Sequence, residues 1–225
     1  MKTIVAAGAM AAALAGWGAQ AFAQDAGSSP LLDQGNRRQL ERWLGAGEFT
    51  FNNVFTLQPG DTSLDFHGAV DGKGATFTLL QVTNDGGDTF LVGGYNPQSW
   101  SSTDGWHVTD RDFQRSAFLF NMTVPAVYRQ VPTSFELPSQ GSRQTFNAAG
   151  QGPTFGAGPD LFVNDRLDSA ISWQLTYGDP LDDGKSIVDL STGGQFVHVD
   201  AMELCCLKVR PARADADLGL SLIHI

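Results

Sequence analysis

The sequence predicts a mainly β (α+β) fold with two or three short helices, either an all-β sandwich or a β-rich α+β domain. Short runs rich in β-branched and aromatic residues recur along the chain, and stretches rich in Gly, Pro, Ser, Asn and Gln separate them. The 26 glycines and 10 prolines match such a turn-dense chain. A helical spacing of apolar residues occurs in only two segments, and both are short.

The two predicted helices cover residues 36–45 and about 62–71. The first, NRRQLERWLG, places apolar side chains at i, i+3 and i+4, with its charges elsewhere. In the second, Thr62 and Asp65 have the spacing of a capping box, and Gly72 is placed to end the helix in the left-handed conformation.

The strand signals are bounded by turn residues. Two of them flank the turn NDGGD and predict a hairpin. The predicted strands are EFTFNNVFTL, ATFTLLQVT, TFLVGGY, SAFLFNM, DLFVND, ISWQLTY and FVHVDAMEL.

Both ends of the chain fall outside the predicted domain, which covers residues 35–204. Residues 1–23 have the charged start, apolar run and small-x-small site of a signal peptide, so we expect an exported protein in the periplasm, on the cell surface or outside the cell. Residues 24–34 form a flexible leader. Residues 205–219 are an atypical tail, for which a truncation, with or without a frameshift, is favoured over a natural soluble variant. Residues 220–225, LSLIHI, are interpreted as the in-frame translation of a sequencing-library adapter.

Charge and cysteine content exclude several functional classes. Lys and Arg number 14 against 24 Asp and Glu, and the resulting net charge of -10 disfavours binding to nucleic acid or to anionic lipid. Two adjacent cysteines neither form a disulfide framework nor have the spacing of a metal site. No segment after the signal peptide is long and apolar enough to span a membrane.

The stretch DFHGAVDGKGATFTLLQV contains the catalytic candidates, His67 and Asp71. They lie four residues apart on the predicted helix, and a histidine held by a carboxylate is a usual general base. The alternative is a buried histidine beside Phe66 with its ring bonded to backbone, because no Gly-x-Ser-x-Gly elbow supplies a nucleophile. A phosphate-binding loop is excluded, since the glycines follow a helix instead of preceding one.

Two weaker binding hypotheses come from acidic turns and aromatic residues. Asp179 and Asp183 occupy ligand positions of a calcium-binding loop, but leucines occupy other positions where an EF-hand needs ligands. No cofactor or metal is therefore predicted. The alternative is a looser Ca²⁺ site. Trp100, Trp106 and Tyr95 are candidates for a sugar-binding platform, with core packing as the alternative.

Four blocks of sequence resemble the TLDc domain in their order and spacing: FHGAVDGKGATFTLLQVTN, FLVGGYNPQSWSS, RSAFLFNM and GPTFGAGPDLFVND. The resemblance covers about residues 35–204 and extends most clearly to secreted bacterial TLD-domain proteins with a PEP-CTERM anchor, the type processed by exosortases. It implies a β-sandwich of two antiparallel sheets and no established catalytic residues. Eukaryotic relatives are linked to oxidative-stress resistance and to binding of the vacuolar proton ATPase.

The chain departs from the family in two places. Where relatives often have Gly-Gly-Gly-His-Asp, this chain has Gly-Ala-Gly-Pro-Asp at 156–160, so no role of that histidine carries over. Anchored relatives end with a Val-Pro-Glu-Pro signal, an apolar segment and a basic end, whereas CCLKVRPARADADLG follows Leu204 in this sequence. The positions that match the family pattern are Phe66, His67, Asp71, Gly74, Thr76, Gly93, Gly94, Tyr95, Ser99, Trp100, Phe118, Gly152, Pro153, Phe155, Gly156, Gly158, Asp160 and Leu161.

These observations predict an exported surface or matrix protein that acts as a non-catalytic interaction or structural module. Its expected partner is a protein or polysaccharide of the envelope or matrix. One alternative is a hydrolase of matrix glycans or peptides that uses His67 with Asp65 or Asp71. The second alternative is protection against oxidative stress, with Cys205 and Cys206 as sacrificial thiols.

Overall fold

A computed structural model describes residues 30–45, 48–103, 105–135 and 140–210. The predicted signal peptide, most of the predicted leader, the tail after residue 210 and the predicted adapter segment lie outside the described residues.

The predicted fold class is confirmed, because antiparallel strands dominate the described residues, with two α-helices and two short 3₁₀ helices among them. The 3₁₀ helices are Asp112–Gln114 and Pro180–Asp182. The other elements are α1 (Gln34–Leu44), β1 (Glu48–Thr56), α2 (Ser63–Val70), β2 (Thr76–Thr83), β3 (Thr89–Asn96), β4 (Gly105–Val108), β5 (Phe118–Asn121), β6 (Ala126–Arg129), β7 (Arg143–Asn147), β8 (Thr154–Phe155), β9 (Leu161–Val163), β10 (Ser169–Ser172) and β11 (Gln195–Arg210).

Hydrogen bonds join the strands in the order β4-β7-β8-β9-β10-β11-β2-β3-β5-β6. The long strand β11 connects two parts of this sheet, because its first residues pair with β10 and its last residues with β1, while β2 runs along its other edge. We call β1, β2, β3, β5, β6 and β11 the front sheet, and β4 with β7 to β10 the back sheet.

The main core lies between the front and back sheets. Leu80, Val92 and Leu119 of the front sheet share one cluster with Phe155 of the back sheet, and all four are fully buried. The sheets approach so closely that a Cβ on Gly94 of β3 would lie 2.6 Å from Cζ of Phe155. The absence of a side chain at this position therefore lets the two layers meet.

Helix α1 covers the outer face of the front sheet. Leu40 of this helix is 0 % exposed and belongs to a second apolar cluster with Phe77 and Phe120. The ring of Trp43 lies 5.9 Å from that of Phe120, centroid to centroid. The predicted amphipathic helix is thus confirmed, and its apolar face is the one that packs.

Helix α2 forms where its capping signals predict it. Oδ2 of Asp65 accepts a hydrogen bond from the backbone N–H of Thr62 at 2.8 Å, and this bond lowers the pKa of Asp65. The helix ends at Val70, and Gly72 has φ of +72°, the left-handed conformation expected of a terminator.

The segment ISWQLTY, predicted as one strand, is extended only at its start, because β10 ends at Ser172. The backbone N–H groups of Leu175, Thr176 and Tyr177 all donate to Oδ2 of Asp160, at 2.7, 2.8 and 2.8 Å. Successive amides of a strand point in opposite directions, so three of them meet one oxygen only in a turn. This convergence explains why the predicted strand is interrupted.

Strand β11 continues beyond Leu204, the predicted end of the domain, through Cys205 and Cys206 to Arg210. The two cysteines are 1 % and 5 % exposed, and their side chains point to opposite faces because strand residues alternate. Burial raises the pKa of the Cys206 thiol, which disfavours the reactive thiolate. Within the described residues, no helix is long and apolar enough to cross a membrane.

Candidate functional site

The ring of His67 is held on both sides by the fold. Nδ1 lies 2.7 Å from Oδ1 of Asp71, so the predicted pair does meet. Nε2 lies 2.9 Å from the carbonyl oxygen of Ala148 and 3.2 Å from that of Gln151. The residue is 4 % exposed, and its ring contacts Phe66 edge-on at 4.7 Å between centroids. The pair with Asp71 and the buried, backbone-bonded ring therefore occur together.

Both ring nitrogens of His67 face acceptors, because carboxylate and carbonyl oxygens carry no hydrogen. Nδ1 is covered by Asp71 and Nε2 by the two backbone carbonyls, so neither ring nitrogen is open to a substrate in this arrangement. Oδ2 of Asp71 accepts from Oγ of Ser102 at 2.7 Å, so the serine bonds the carboxylate and not the ring. In a hydrolytic triad the nucleophile hydroxyl bonds the histidine ring and the carboxylate bonds the other ring nitrogen, so this arrangement is not a triad. The cluster joins α2 to two loops.

Three aromatic residues of the family pattern form a stack behind this cluster. The ring of Trp100 meets Phe66 at 5.7 Å and Phe155 at 5.4 Å between centroids, both edge-to-face. Nε1 of Trp100 donates to Oγ1 of Thr76 at 3.0 Å, so its polar atom is satisfied inside the core. These positions are buried and support packing.

Several other pattern positions are occupied by glycine for steric reasons. A Cβ on Gly93 would lie 2.0 Å from the carbonyl oxygen of Thr78, which is backbone of the paired strand. The N–H of Gly74 donates to Oγ of Ser99 at 2.9 Å and closes the corner after α2. The remaining pattern positions are buried or half-buried: Tyr95, Phe118, Gly152, Pro153 and Leu161.

Asp160 organises the loop between β8 and β9. It is 0 % exposed, and its Oδ2 accepts the three N–H groups of residues 175–177. Its Oδ1 lies 3.4 Å from the N–H of Gly158. Gly156 has φ of +71°, and a Cβ there would lie 1.8 Å from the same Oδ1, so only glycine fits. One buried carboxyl group thus fixes two loops against each other.

Burial raises the pKa of Asp160 to about 7, although the backbone N–H groups of Leu175, Tyr177 and Thr176 lower it. In the neutral acid with its proton on Oδ1, Oδ2 remains an acceptor for the three N–H groups. Burial and the nearby Asp160 also raise the pKa of Tyr177, whose hydroxyl donates to the carbonyl oxygen of Gln144 at 2.7 Å. Because both groups are enclosed, they position the loops and do not contact solutes.

The outer face of the back sheet carries a row of large apolar side chains. Trp106 of β4 pairs with Phe146 of β7, and Phe162 of β9 pairs with Ile171 of β10. Residues opposite each other on neighbouring strands have side chains on the same face. All four side chains are half-buried, and the rings of Trp106 and Phe146 lie 4.9 Å apart. We call these four residues the aromatic row.

The aromatic row lines an open cleft of about 440 Å³. Ala157 and Pro159, which belong to the loop that Asp160 holds, form one wall, and Gln151 and Thr154 add polar groups. A mostly apolar lining with a few polar groups is typical of a ligand-binding cleft.

Of the three aromatic residues predicted as a sugar platform, Trp106 alone lies in this cleft. Trp100 is 1 % exposed in the core between the sheets. Tyr95 packs against Phe77 and Phe118, at 4.9 and 5.3 Å between ring centroids, on the side that α1 covers. For Trp100 and Tyr95 the packing interpretation therefore holds.

A second hollow of about 350 Å³ lies beside Phe196, which pairs with Ile171 and is 67 % exposed. Its lining is mostly polar, in contrast to the aromatic rings of the first cleft. Oγ1 of Thr83 donates to Oδ2 of Asp200 at 2.6 Å. We call this the polar hollow; it is lined by Thr83, Asn84, Asp85, Asp168, Ser169, Phe196, Val197, His198 and Asp200.

Within the part of the chain that the structure describes, no group of three or more His, Cys, Asp or Glu side chains is arranged to hold a metal ion. Of the calcium candidates, Asp179 caps a 3₁₀ helix, since its Oδ1 accepts from the N–H of Leu181 at 2.9 Å. Asp183 lies at the end of the same helix and is exposed.

Sequence reasoning did not identify most of the aromatic row. Phe146 and Phe162 lie on short strands whose neighbours are polar or buried, so no clear alternation marks them. Phe196, which borders the polar hollow, does have a signal in the sequence, because QFVHVD alternates the valines at 197 and 199 with Phe196, His198 and Asp200. That alternation predicts an exposed aromatic residue at the start of β11.

No family model matches the chain, and no curated protein matches it at a significant level.

Proposed function

We propose that this chain is an exported TLDc-like β-sandwich that acts as a non-catalytic interaction module at the cell surface or in the extracellular matrix. The aromatic row carries the proposal, because it lines an open cleft of about 440 Å³ on the outer face of the back sheet. Contiguous apolar side chains left partly exposed are typical of a binding surface. The signal-peptide pattern and the four TLDc-like blocks support the location and the family.

The groups around the cleft favour binding over turnover. Its polar lining includes Gln151 and Thr154, neither of which is a general acid or base at neutral pH. The hydroxyl of Thr154 donates to the carbonyl oxygen of Gly152 at 3.1 Å, so it is engaged in the fold. Such a cleft can orient a ligand through apolar contact and a few hydrogen bonds.

Capture of a component from bacterial envelope and matrix fractions by the immobilised full chain tests the proposal. We expect Trp106→Ala and Phe162→Ala to lose the captured component, because each removes part of the aromatic row. Phe113→Ala is the matched control, since Phe113 is 78 % exposed and does not line the cleft. Thermal unfolding of each variant verifies the fold. Equal capture by the wild type and both row variants would contradict the proposal.

The hydrolase and oxidative-stress alternatives are separated by turnover assays. A panel of glycan and peptide substrates, offered to the wild type and to His67→Ala, is expected to show no turnover by either. Turnover by the wild type that disappears in His67→Ala would favour the hydrolase. Unchanged peroxide consumption after Cys206→Ser is expected, because that thiol is 5 % exposed.

A further inference from the structure

The aromatic row continues beyond the cleft to the far edge of the back sheet. Ile171 pairs with Phe196 of β11, which is 67 % exposed. Trp173, directly after β10, is 41 % exposed. Its ring packs against Gly194, the residue before β11, where a Cβ would lie 2.9 Å from Cε3 of Trp173. From Trp106 on β4 to Phe196 on β11, the surface crosses six neighbouring strands. With strands about 4.8 Å apart, this is a length of about 24 Å.

The chemistry changes at the β11 end of this surface. Phe196 borders the polar hollow, where carboxylates of Asp168 and Asp200 lie near hydroxyl groups of Thr83 and Ser169. Carboxylate oxygens are hydrogen-bond acceptors, so this end is suited to a ligand that donates hydroxyl hydrogens. The ligand should therefore combine apolar surfaces with hydroxyl groups.

Peptide strands and anionic polymers fit this surface poorly. Strands β7, β8, β9 and β10 are hydrogen-bonded on both edges, so a peptide could add a strand only along β4, at one end of the surface, and not across the aromatic row. The net charge of -10 and the carboxylates of the polar hollow repel a polyanion. Sugar rings, in contrast, present C–H faces to aromatic rings and hydroxyl groups to carboxylates.

We propose that the aromatic row, extended by Trp173 and Phe196, binds an uncharged polysaccharide laid across the strands, with hydroxyl groups donated to Asp168 and Asp200 in the polar hollow. This inference rests on the proposed function and specifies the ligand class. The strand spacing of about 4.8 Å is close to the length of one pyranose ring in an extended chain, so about five rings reach from Trp106 to Phe196.

Affinity electrophoresis of the full chain in gels that contain hydroxyethyl cellulose, galactomannan or alginate tests the ligand class. We expect retardation by an uncharged polymer and none by alginate. Trp106→Ala and Phe196→Ala are each expected to weaken binding about three- to tenfold, the effect of losing one aromatic contact. Phe113→Ala should bind like the wild type. Phe196 is 67 % exposed, so its removal does not open the core.

Chain length gives an independent readout. Affinity for oligosaccharides should rise up to about five rings, because a shorter chain cannot contact both ends of the surface. A disaccharide should then be sensitive to at most one of the two substitutions, whereas the polymer is sensitive to both. Equal sensitivity of the disaccharide and the polymer to both substitutions would refute the extended binding mode.

Periodate treatment of the envelope fraction separates failure of this inference from failure of the proposed function. Periodate cleaves the vicinal diols of sugars, so Trp106-dependent capture that disappears after treatment supports a polysaccharide. Trp106-dependent capture that survives periodate, or retardation by alginate equal to that by the uncharged polymers, overturns the ligand class and leaves the interaction module in place. Capture that does not depend on Trp106 overturns the proposed function itself.

Discussion

Replacement of Asp160 by Ala removes the acceptor for three buried N–H groups, those of residues 175–177, which lie 2.7, 2.8 and 2.8 Å from Oδ2. A buried donor left without a partner costs about 1–3 kcal/mol, and partial relaxation or an entering water reduces the sum. We therefore expect a loss of about 3–5 kcal/mol in the free energy of unfolding. Because small domains are stable by about 5–15 kcal/mol, such a loss is a large part of the total.

Asp160→Asn is the matched control, because asparagine has the shape of the neutral acid and keeps one oxygen for the three donors. Both variants are compared with the wild type at about pH 4, where the Asp160 carboxyl is neutral in the folded protein and titration of the unfolded chain adds little to the difference; the expected loss for Asp160→Asn is then about 1 kcal/mol or less. Urea unfolding followed by tryptophan fluorescence measures both variants. The reasoning is refuted if Ala and Asn destabilise the protein equally, or if the Ala variant lies within about 1 kcal/mol of the wild type.

Three further outcomes are expected. Because the pKa of Asp160 rises from 3.8 to about 7 on folding, its contribution to stability is complete below pH 3.8 and is lost as the pH rises through 7. Urea titrations should show the wild type losing about 3 kcal/mol more than Asp160→Asn between about pH 5 and about pH 8, and parallel curves would contradict this. Gly93→Ala should lower the free energy of unfolding by about 3 kcal/mol or more, because the added Cβ would lie 2.0 Å from the backbone oxygen of Thr78. Gly68→Ala on α2 is the control, because a Cβ there meets no atom within 4 Å, and its thermal melt should be unchanged or shifted to higher temperature. Leu40→Ala should lower the free energy of unfolding by about 2–5 kcal/mol, because it removes the packing of α1 on the front sheet. A change below about 1 kcal/mol would show that α1 contributes little to stability.

The helices and the longest strands could be predicted because their signals are local. The Thr62 and Asp65 spacing describes a hydrogen bond made within one turn, and the structure forms that bond at 2.8 Å. The hairpin of β2 and β3 is likewise fixed by residues on either side of a short turn. In these segments each residue's environment is set by neighbours close in the sequence.

The short strands β4, β6, β7 and β8 were not predicted, because they span only two to five residues, and β4 pairs with β7 across a long stretch of chain. Their conformation comes from tertiary pairing and not from local propensity. The same applies to the site. Asp160 matches a sequence pattern, but its role depends on N–H groups of residues 175–177 that only the folded chain brings to it. The aromatic row is assembled in the same way, from separate strands that each contribute one side chain.

The central place of β11 has a consequence for folding kinetics. Glu48 at the start of β1 pairs with Arg210 at the end of β11, so β1, the first described strand, cannot pair until β11, the last one, is in place. Contacts this distant in sequence carry a high cost in loop-closure entropy and slow the search for the native state. Until β11 docks, β1, β2 and β10 each expose an unpaired edge that invites pairing with another chain. We therefore expect refolding yields to fall steeply with protein concentration. The tendency to aggregate should end when β11 joins the sheet and covers these edges.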